Sequence, residues 1–306
     1  VRIAIHAAGI SFANLLVIKG EHQNKAIPPF TPGTEIAGLV TELGPDAGGT
    51  LRIGDRVCAG LPSGGFAEEA VVEANNVFRI PDSLPFTKAT HFPTIYATAY
   101  CGLQWRAQIE PGETLLVHGG AGASGLAAVE VGAALGARVI AIVGSAEKVN
   151  AALAHGAAHA INYRCEAFKD EVLKLTEGRG VDVVFDPVGG DMFDQSLRCV
   201  APLARVLTIG YASGRIPQIS ANLILVKNIS IIGLYWGFYM AWGKTQASSA
   251  LRARVREMFD EMFALFDQGK VQPVVDSTLP LADFAQGLRR IESGKVIGKI
   301  VLVPER

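Results

Sequence analysis

The glycine-rich segment from residue 119 to 125 is the part of the sequence whose residue types point most directly to chemistry. It reads Gly-Gly-Ala-Gly-Ala-Ser-Gly, follows the apolar run 115–118 and precedes the small-residue stretch 126–131. Strand, glycine turn and helix in this order are typical of a dinucleotide-binding loop. We expect Gly120 to permit the sharp turn, Gly122 to let backbone N–H groups approach a pyrophosphate, and Gly125 to let the helix pack closely on its strand. An ordinary tight turn between strand and helix is the alternative.

The start of the predicted helix would hold the anion, because its unpaired N–H groups and its dipole favour negative charge. The residues of this loop predicted to bind the cofactor are Gly119, Gly120, Gly122, Ala123, Ser124 and Gly125.

The tip of the next apolar run predicts which dinucleotide is bound. An NAD site usually has Asp or Glu about twenty residues after the glycines, but Gly144 and Ser145 stand there. Without a carboxylate the tip does not repel a 2′-phosphate, Ser145 can donate a hydrogen bond, and Lys148 can supply charge. NADP(H) is therefore favoured. In the alternative interpretation, Lys148 is a solvated helix residue and Glu147 turns back to the ribose.

Two patterns of apolar residues predict the elements that position these groups. From Thr114 onward, consecutive apolar residues recur with room for a helix between successive runs, which is typical of a doubly wound α/β domain with a parallel six-stranded sheet. The predicted strands are 114–117, 138–143, 159–161, 181–185, 205–209 and 229–234. Before residue 90, short strand-like pieces at 35–42, 56–58 and 66–72 are punctuated by Gly and Pro, which predicts an antiparallel, barrel-like domain.

We place the domain boundaries from these patterns and from the end of the chain. Residues 1–92 and 270–306 are predicted to form the β-rich domain, and residues 93–269 the dinucleotide-binding domain. Helices are predicted over 248–266 and 281–291, and a last strand over 299–303.

Composition excludes several classes of protein. The 306 residues carry 28 Lys and Arg against 29 Asp and Glu, a net charge of −1, and no basic run suggests a nucleic-acid partner. Hydrophobic residues make up 49% and charged residues 19%, which excludes a disordered chain. The apolar stretch 126–143 contains Glu130 and Arg138, so it predicts helix, turn and strand rather than a membrane span.

Four cysteines without a CxxC pair indicate a reducing, cytoplasmic location. Since the sequence starts without Met, an upstream segment such as a targeting peptide stays an open alternative.

A series of short motifs runs in order over nearly the whole chain. They are Pro32-Gly33-Thr34-Glu35, Gly54-Asp55-Arg56-Val57, Gly65-Phe66-Ala67-Glu68, Ala97-Thr98-Ala99-Tyr100, Pro111-Gly112-Glu113, the glycine loop, Ile161-Asn162-Tyr163, Asp186-Pro187-Val188-Gly189-Gly190 and Gly298-Lys299. Because these motifs occur in this order, the chain resembles the zinc-independent quinone oxidoreductases of the medium-chain dehydrogenase/reductase superfamily, the relatives of zeta-crystallin.

The resemblance implies a GroES-like catalytic domain, a Rossmann domain and a substrate cleft between them. It implies reduction of quinones or activated C=C bonds by NADPH, in a homodimer joined through the strand 229–234. Further cofactor contacts follow from it: Tyr163 and Lys148 at the 2′-phosphate, Thr98 at the nicotinamide end, Val188, Gly189, Gly210 and Tyr211 beside the nicotinamide ribose, and Lys299 of the last motif.

Zinc ligands are missing where the zinc branch of this superfamily has them. Such a site needs three protein ligands, typically an early Cys, a His before Glu, and a later Cys or acid. Here Ser11 and its neighbours replace the Cys, and Thr34 precedes Glu35. We therefore expect no metal, which disfavours alcohol oxidation but not hydride delivery to an acceptor that is itself electrophilic.

Candidate proton donors lie in the first domain. His22 stands where family members often have Tyr, and its imidazole can donate while neutral and protonate near pH 6.5. Ser11 is a second candidate. Alternatively, His22 is an exposed loop residue and Ser11 satisfies the backbone at a strand end. Asn14, from the altered Gly-x-Asn-x-x-Asp motif, is placed in the substrate cleft.

The aromatic cluster at 236–242 is a candidate wall for a substrate ring, with Trp236 and Phe238 placed in the cleft. Core or dimer packing explains such a cluster equally well. Two alternative functions also stay open: a 2-enal or enoyl-thioester reductase on the same scaffold, and a non-catalytic NADPH-binding protein.

Overall fold

The computed structural model describes residues 1–22, 25–45, 47, 49, 51–242 and 248–305. Packing divides the chain into two compact units. The first unit comprises residues 1–97, 236–267 and 273–306, and the second comprises residues 98–235 and 268–272.

The regular elements are numbered in chain order. The strands are β1 (Arg2–Ile10), β2 (Glu35–Glu42), β3 (Arg56–Gly60), β4 (Glu69–Val71), β5 (Val77–Arg79), β6 (Thr114–His118), β7 (Arg138–Val143), β8 (His159–Asn162), β9 (Val181–Asp186), β10 (Val200–Thr208), β11 (Ser230–Gly233), β12 (Val275–Pro280) and β13 (Lys299–Val303). The α-helices are α1 (Phe12–Lys19), α2 (Phe86–Ala89), α3 (Ala97–Tyr100), α4 (Ala123–Ala134), α5 (Ala146–Ala154), α6 (Phe168–Leu175), α7 (Gly190–Ser196), α8 (Ala221–Lys227), α9 (Trp236–Tyr239), α10 (Ser249–Asp267) and α11 (Phe284–Glu292).

A six-stranded parallel sheet forms the centre of the second unit, in the order β11-β10-β9-β6-β7-β8. Each predicted strand is present, and β6, β7 and β9 are almost wholly buried, as expected for strands covered on both faces. The chain order reverses between β6 and β9, and this is where ligands bind in open α/β sheets. The predicted doubly wound fold is confirmed.

The first unit contains a seven-stranded sheet in the order β12-β13-β1-β2-β3-β5, with β4 paired to β1. Its pairings are antiparallel except between β12 and β13. The strands predicted at 35–42 and 299–303 have the observed bounds.

Two features of the first unit differ from expectation. The helix α1 was not predicted; Ser11 caps it, and Gly20 ends it at φ 71°. Residues 236–242 and 248–267, predicted in the dinucleotide-binding domain, belong to the first unit. The reason is aromatic packing by α10: Phe259 stacks on Phe78 with ring centroids 3.5 Å apart, and Phe263 lies 5.0 Å from Phe92.

The stretch 126–143 forms the body of α4, a turn and β7, as predicted. Across the described ranges, no helix combines the length and the apolar character needed to span a bilayer. Cys58, Cys101 and Cys199 are buried free thiols, and Cys165 is an exposed one.

Candidate functional site

The carboxyl ends of the parallel strands carry most of the predicted cofactor residues. The glycine loop follows β6, Gly144 and Ser145 follow β7, and Tyr163 follows β8. The turns after β9 and β10 carry Val188, Gly189, Gly210 and Tyr211. Because these strands are parallel, all five turns lie along one edge of the sheet.

Within the glycine loop, the roles of the glycines differ from those predicted. Gly119, at φ 63°, adopts the left-handed conformation of the turn, whereas Gly120 has no positive φ. Gly120 is instead needed for packing, since a Cβ there would lie 2.7 Å from Cβ of Ala141. Gly125 fulfils its predicted role, because a Cβ at that position would lie 2.0 Å from the Gly119 carbonyl oxygen.

The start of α4 has the features of an anion site. The helix begins after Gly122, which provides no side-chain cap. Its first N–H groups have no partner within the helix, and Gly122, Ala123 and Ser124 are half-buried rather than sealed from solvent. A Cβ at Gly122 would approach only the Gly119 oxygen, at 3.4 Å. The glycine therefore keeps open the space above the helix terminus, where a phosphate is best stabilised.

At the tip of β7, Gly144 lies against the ring of Tyr163. A Cβ on Gly144 would meet the Tyr163 hydroxyl at 3.2 Å and its ring carbons at 3.3 and 3.4 Å. An acidic side chain of the NAD type at this position would therefore have to displace the tyrosine. Tyr163 is 40% exposed, so its ring forms part of the surface beside the strand tip.

The helix α5 begins at this tip with a cap and a cation. The Ser145 hydroxyl accepts a hydrogen bond from the Lys148 N–H at 3.3 Å, which leaves the hydroxyl hydrogen available for donation. Burial lowers the pKa of Lys148, and the nearby Arg164 guanidinium lowers it further, while Glu147 opposes the shift. Two cations on adjacent elements favour an anion between them. Arg164 was not among the predicted residues, although it directly follows Tyr163.

The turns after β9 and β10 lie against each other and against the glycine loop. Cβ positions built on Gly119 and Gly189 lie 3.6 Å from a Val188 methyl and 3.1 Å from the Tyr211 ring, respectively. Gly189 has φ 68°, a conformation that L side chains rarely adopt. Thr98, in α3 of the same unit as these turns, is half-buried.

The proton-donor candidates of the first unit have structural partners. Ser11 Oγ accepts from the Asn14 N–H at 3.3 Å and the Ser11 backbone N–H donates to Asn14 Oδ1 at 2.8 Å, which is a capping box. The Ser11 hydroxyl also donates to Asn14 Oδ1, at 2.9 Å. Asn14 is buried, and its amide lies 3.5 Å from the Thr34 hydroxyl. Ser11 therefore satisfies backbone between β1 and α1, which is close to its alternative interpretation as a strand-end residue, but it does so as the cap of a helix that was not predicted. His22 follows α1 and is half-buried, with its backbone N–H donating to Leu16.

Lys299 differs most from its predicted role as a cofactor ligand. Its ammonium, in the first unit, is fully buried and forms an ion pair with Glu35, whose other oxygen accepts the hydroxyl of Thr94. Burial lowers the pKa of Lys299, and Glu35 opposes this shift. Burial together with the charge of Lys299 lowers the pKa of the neighbouring His91 to about 3. An ammonium with no exposed surface cannot touch a ligand, so Lys299 is an internal counter-ion.

The aromatic candidates divide into a buried and an exposed residue. Trp236 is buried, donates its indole N–H to the Pro93 carbonyl at 2.7 Å and stacks on Tyr239. Core packing therefore accounts for Trp236. Phe238 is 49% exposed and is the member of the pair that a substrate could contact.

A site residue that the sequence reasoning missed is Asp186, the last residue of β9. Its buried carboxylate accepts the N–H groups of Val188 and Gly189 at 2.7 and 2.9 Å. The signal was present, since an acid at the buried end of a strand, directly after the apolar run 183–185, needs a local partner.

The family models match both parts of the chain. The "Alcohol dehydrogenase GroES-like domain" matches residues 1–82, and the "Zinc-binding dehydrogenase" family matches residues 123–254. A "Quinone oxidoreductase-like protein 2 homolog" of Nematostella vectensis is 40% identical, over 99% of this chain and 81% of the relative.

Solved structures agree with these matches. The quinone oxidoreductase of Escherichia coli complexed with NADPH superposes with a TM-score of 0.90 at 28% identity, covering 99% of this chain and 91% of that one. The CurK enoyl reductase superposes with a TM-score of 0.86 at 26% identity, covering 100% and 91% of the two chains.

Together, the fold and these matches define an oxidoreductase scaffold of the medium-chain dehydrogenase/reductase type. The chain belongs to the zinc-independent quinone oxidoreductase family of that superfamily. One matched family is named for zinc binding. Among the described residues of this chain, no group of three or more His, Cys, Asp or Glu side chains could hold a metal ion.

The contact between Gly119 and Gly125 predicts unequal effects of alanine in the loop. We expect Gly125→Ala to lower the free energy of unfolding by about 2–4 kcal/mol, since the new methyl group overlaps a carbonyl. The matched variant Gly122→Ala should cost less than about 1 kcal/mol, because its methyl group has room. Urea denaturation of both variants checks this, and equal losses would contradict the assigned contact.

The buried pair predicts strong coupling between Lys299 and Glu35. Lys299→Met leaves a buried carboxylate without its cation and should cost about 3–5 kcal/mol. The double variant Lys299→Met, Glu35→Gln should be more stable than Lys299→Met alone, since the amide can still accept from Thr94 and carries no charge. A double-mutant cycle by urea denaturation measures the coupling; additive single effects would show that the two charges do not interact.

Proposed function

We propose that this protein uses NADPH to reduce an electron-poor acceptor, either a quinone or the activated C=C bond of an α,β-unsaturated carbonyl compound. The observation that carries the proposal is the half-buried, uncapped start of α4 behind the glycine loop, with Gly144, Tyr163 and Lys148 at the next strand tip. The Escherichia coli relative, solved with NADPH, supports the same choice of cofactor.

In this proposal, each turn along the sheet edge has its own part in binding. The first N–H groups of α4 hold the pyrophosphate. The Lys148 ammonium, the Ser145 hydroxyl and the Tyr163 ring receive the 2′-phosphate, and Arg164 adds a second cation. The backbone at Val188, Gly189, Gly210 and Tyr211 lies beside the nicotinamide ribose, with Thr98 at the nicotinamide end.

When bound, NADPH supplies a hydride, and the acceptor must afterwards gain a proton. His22 is the proposed source of that proton, because Ser11 already donates its hydroxyl to Asn14. Phe238 is the proposed aromatic contact of the acceptor, being exposed where Trp236 is buried. Since a quinone or enone is itself electrophilic, a positioned hydrogen-bond donor is sufficient assistance.

The enoyl-thioester alternative is favoured by a specific likeness, the superposition with the CurK enoyl reductase. A second copy of the chain is the proposed partner, paired along β11, because β11 is a terminal strand of the parallel sheet. The cytoplasmic location stays a prediction from the cysteine usage.

Titration with NADPH and a panel of acceptors tests the function. The wild type should show a nicotinamide fluorescence change and a thermal shift with NADPH, and should then oxidise it with a quinone, an enone or an enoyl thioester. Gly122→Val should keep the fold but weaken the binding of NADPH by roughly a hundredfold, since the valine methyl groups fill the space over the start of α4.

The three acceptor classes separate the proposed reaction from the enoyl-thioester alternative. Binding without turnover on any of them would favour the non-catalytic alternative. The proposed function is wrong if the wild type binds no nicotinamide dinucleotide.

The strand tip predicts a change of cofactor preference. Ser145→Asp keeps a good helix cap but places a carboxylate beside the 2′-phosphate. The affinity for NADPH should therefore fall by roughly tenfold or more, while the affinity for NADH changes little. The control Ser145→Asn keeps the cap without the charge and should keep the preference for NADPH. Dissociation constants for both cofactors, measured by fluorescence, give the ratio. An unchanged ratio in Ser145→Asp would refute the assignment of the 2′-phosphate pocket.

A further inference from the structure

Asp186 fixes the turn that follows β9. One carboxylate oxygen, Oδ1, accepts both the Val188 and the Gly189 N–H groups, and the residue is 1% exposed. Gly189 and Gly190 follow with φ values of 68° and 59°. These two hydrogen bonds to one oxygen hold the backbone in a conformation that it would otherwise rarely adopt.

The same turn is bonded to the one after β10. The Ala212 N–H donates to the Pro187 carbonyl at 3.1 Å, and the Ser213 N–H to the Val188 carbonyl at 2.9 Å. The carboxylate of Asp186 therefore lies directly behind a rigid backbone surface at the carboxyl end of the sheet.

The second oxygen of Asp186 lies in the interior of the second unit. Oδ2 is buried and has no hydrogen-bond partner among the described residues. The neighbouring strand places His118 at the next position of the β6–β9 register, after Val117 and Phe185. Nδ1 of this histidine is likewise buried, with no hydrogen-bond partner in the described part of the chain.

The other ring nitrogen of His118 contacts Ser196. The Ser196 hydroxyl lies 2.6 Å from His118 Nε2 and 2.8 Å from the Met192 carbonyl, so Nε2 of the histidine is the nitrogen engaged by a side chain. Burial lowers the pKa of His118 against the opposing influence of Asp186. The neutral imidazole is thus the favoured form, and it supplies no positive charge to Asp186.

A cation on the neighbouring turn is also engaged elsewhere. The Arg215 guanidinium lies 2.7 Å from a carboxylate oxygen of Asp191 and 2.6 Å from one of Asp194. In the part of the chain that the structure describes, Asp186 forms no ion pair and its hydrogen bonds come from backbone N–H groups, in an environment where a charge acts at longer range than it does in water.

We propose that Asp186 is a positioning residue that also makes the site prefer the oxidised cofactor over the reduced one. This inference rests on the proposed function, in which the Val188–Gly189 backbone lies beside the nicotinamide ribose. Loss of a hydride, with its two electrons, gives the nicotinamide ring a positive charge, and the accepting compound receives that hydride. A buried negative charge behind this surface stabilises the charged ring and so favours hydride departure.

The test measures the ratio of dissociation constants for oxidised and reduced dinucleotide, using the NADP or NAD pair that the wild type binds. Asp186→Asn keeps an acceptor for the two N–H groups, so the turn and the fold should be kept, as the thermal midpoint will show. The ratio, oxidised over reduced, should rise by roughly tenfold because the charge is lost. A purely structural role would weaken both forms equally and leave the ratio unchanged.

Asp182→Asn is the matched control, because this aspartate lies near the opposite end of the same strand and pairs with Arg179; its ratio should stay that of the wild type. If Asp186→Asn does not fold, Asp186→Ser must show the same direction of change. An unchanged ratio with both forms bound overturns this inference alone. Absence of dinucleotide binding in the wild type overturns it together with the proposed function.

Discussion

The contact between the Gly119 carbonyl and the backbone of Gly125 is the constraint on which the second unit of the molecule depends. It brings the start of α4 so close to the end of β6 that no side chain fits between them. This approach places the first N–H groups of the helix at the edge of the sheet, where the chain order reverses between β6 and β9. The neighbouring turns contribute contacts around that point, so the proposed phosphate site would be a consequence of steric exclusion as much as of charge.

The sequence was sufficient to predict this half of the molecule because its signals are local. Each strand of the parallel sheet is a short apolar run, and the glycine spacing marks the turn between β6 and α4. The roles of individual glycines were less accessible. Gly119 rather than Gly120 takes the left-handed conformation, and the packing against Ala141 that requires Gly120 comes from another strand. Such a contact has no signature in the loop itself.

The interpretations of residues in the first unit also depended on contacts between segments that are distant in the sequence. The apolar face of α10 is evident from its sequence, but whether it packs on Phe78 and Phe92 or on the parallel sheet depends on partners more than 150 residues away. Ser11 has a residue type suited both to a proton donor and to a helix cap, and only the position of Asn14 decides for the cap. Lys299 belongs to a motif that resembles a functional one, yet its charge is taken up inside the unit by Glu35.

The burial of Glu35 with Lys299 also constrains how this sequence can diverge. The two residues lie 264 positions apart in the chain, and neither charged side chain is exposed to solvent. A lineage that loses one of them must pass through an intermediate with an isolated internal charge, which selection would tend to remove. We therefore expect descendants of this gene to keep both residues or to exchange both, so that two distant segments of the chain evolve as a single unit.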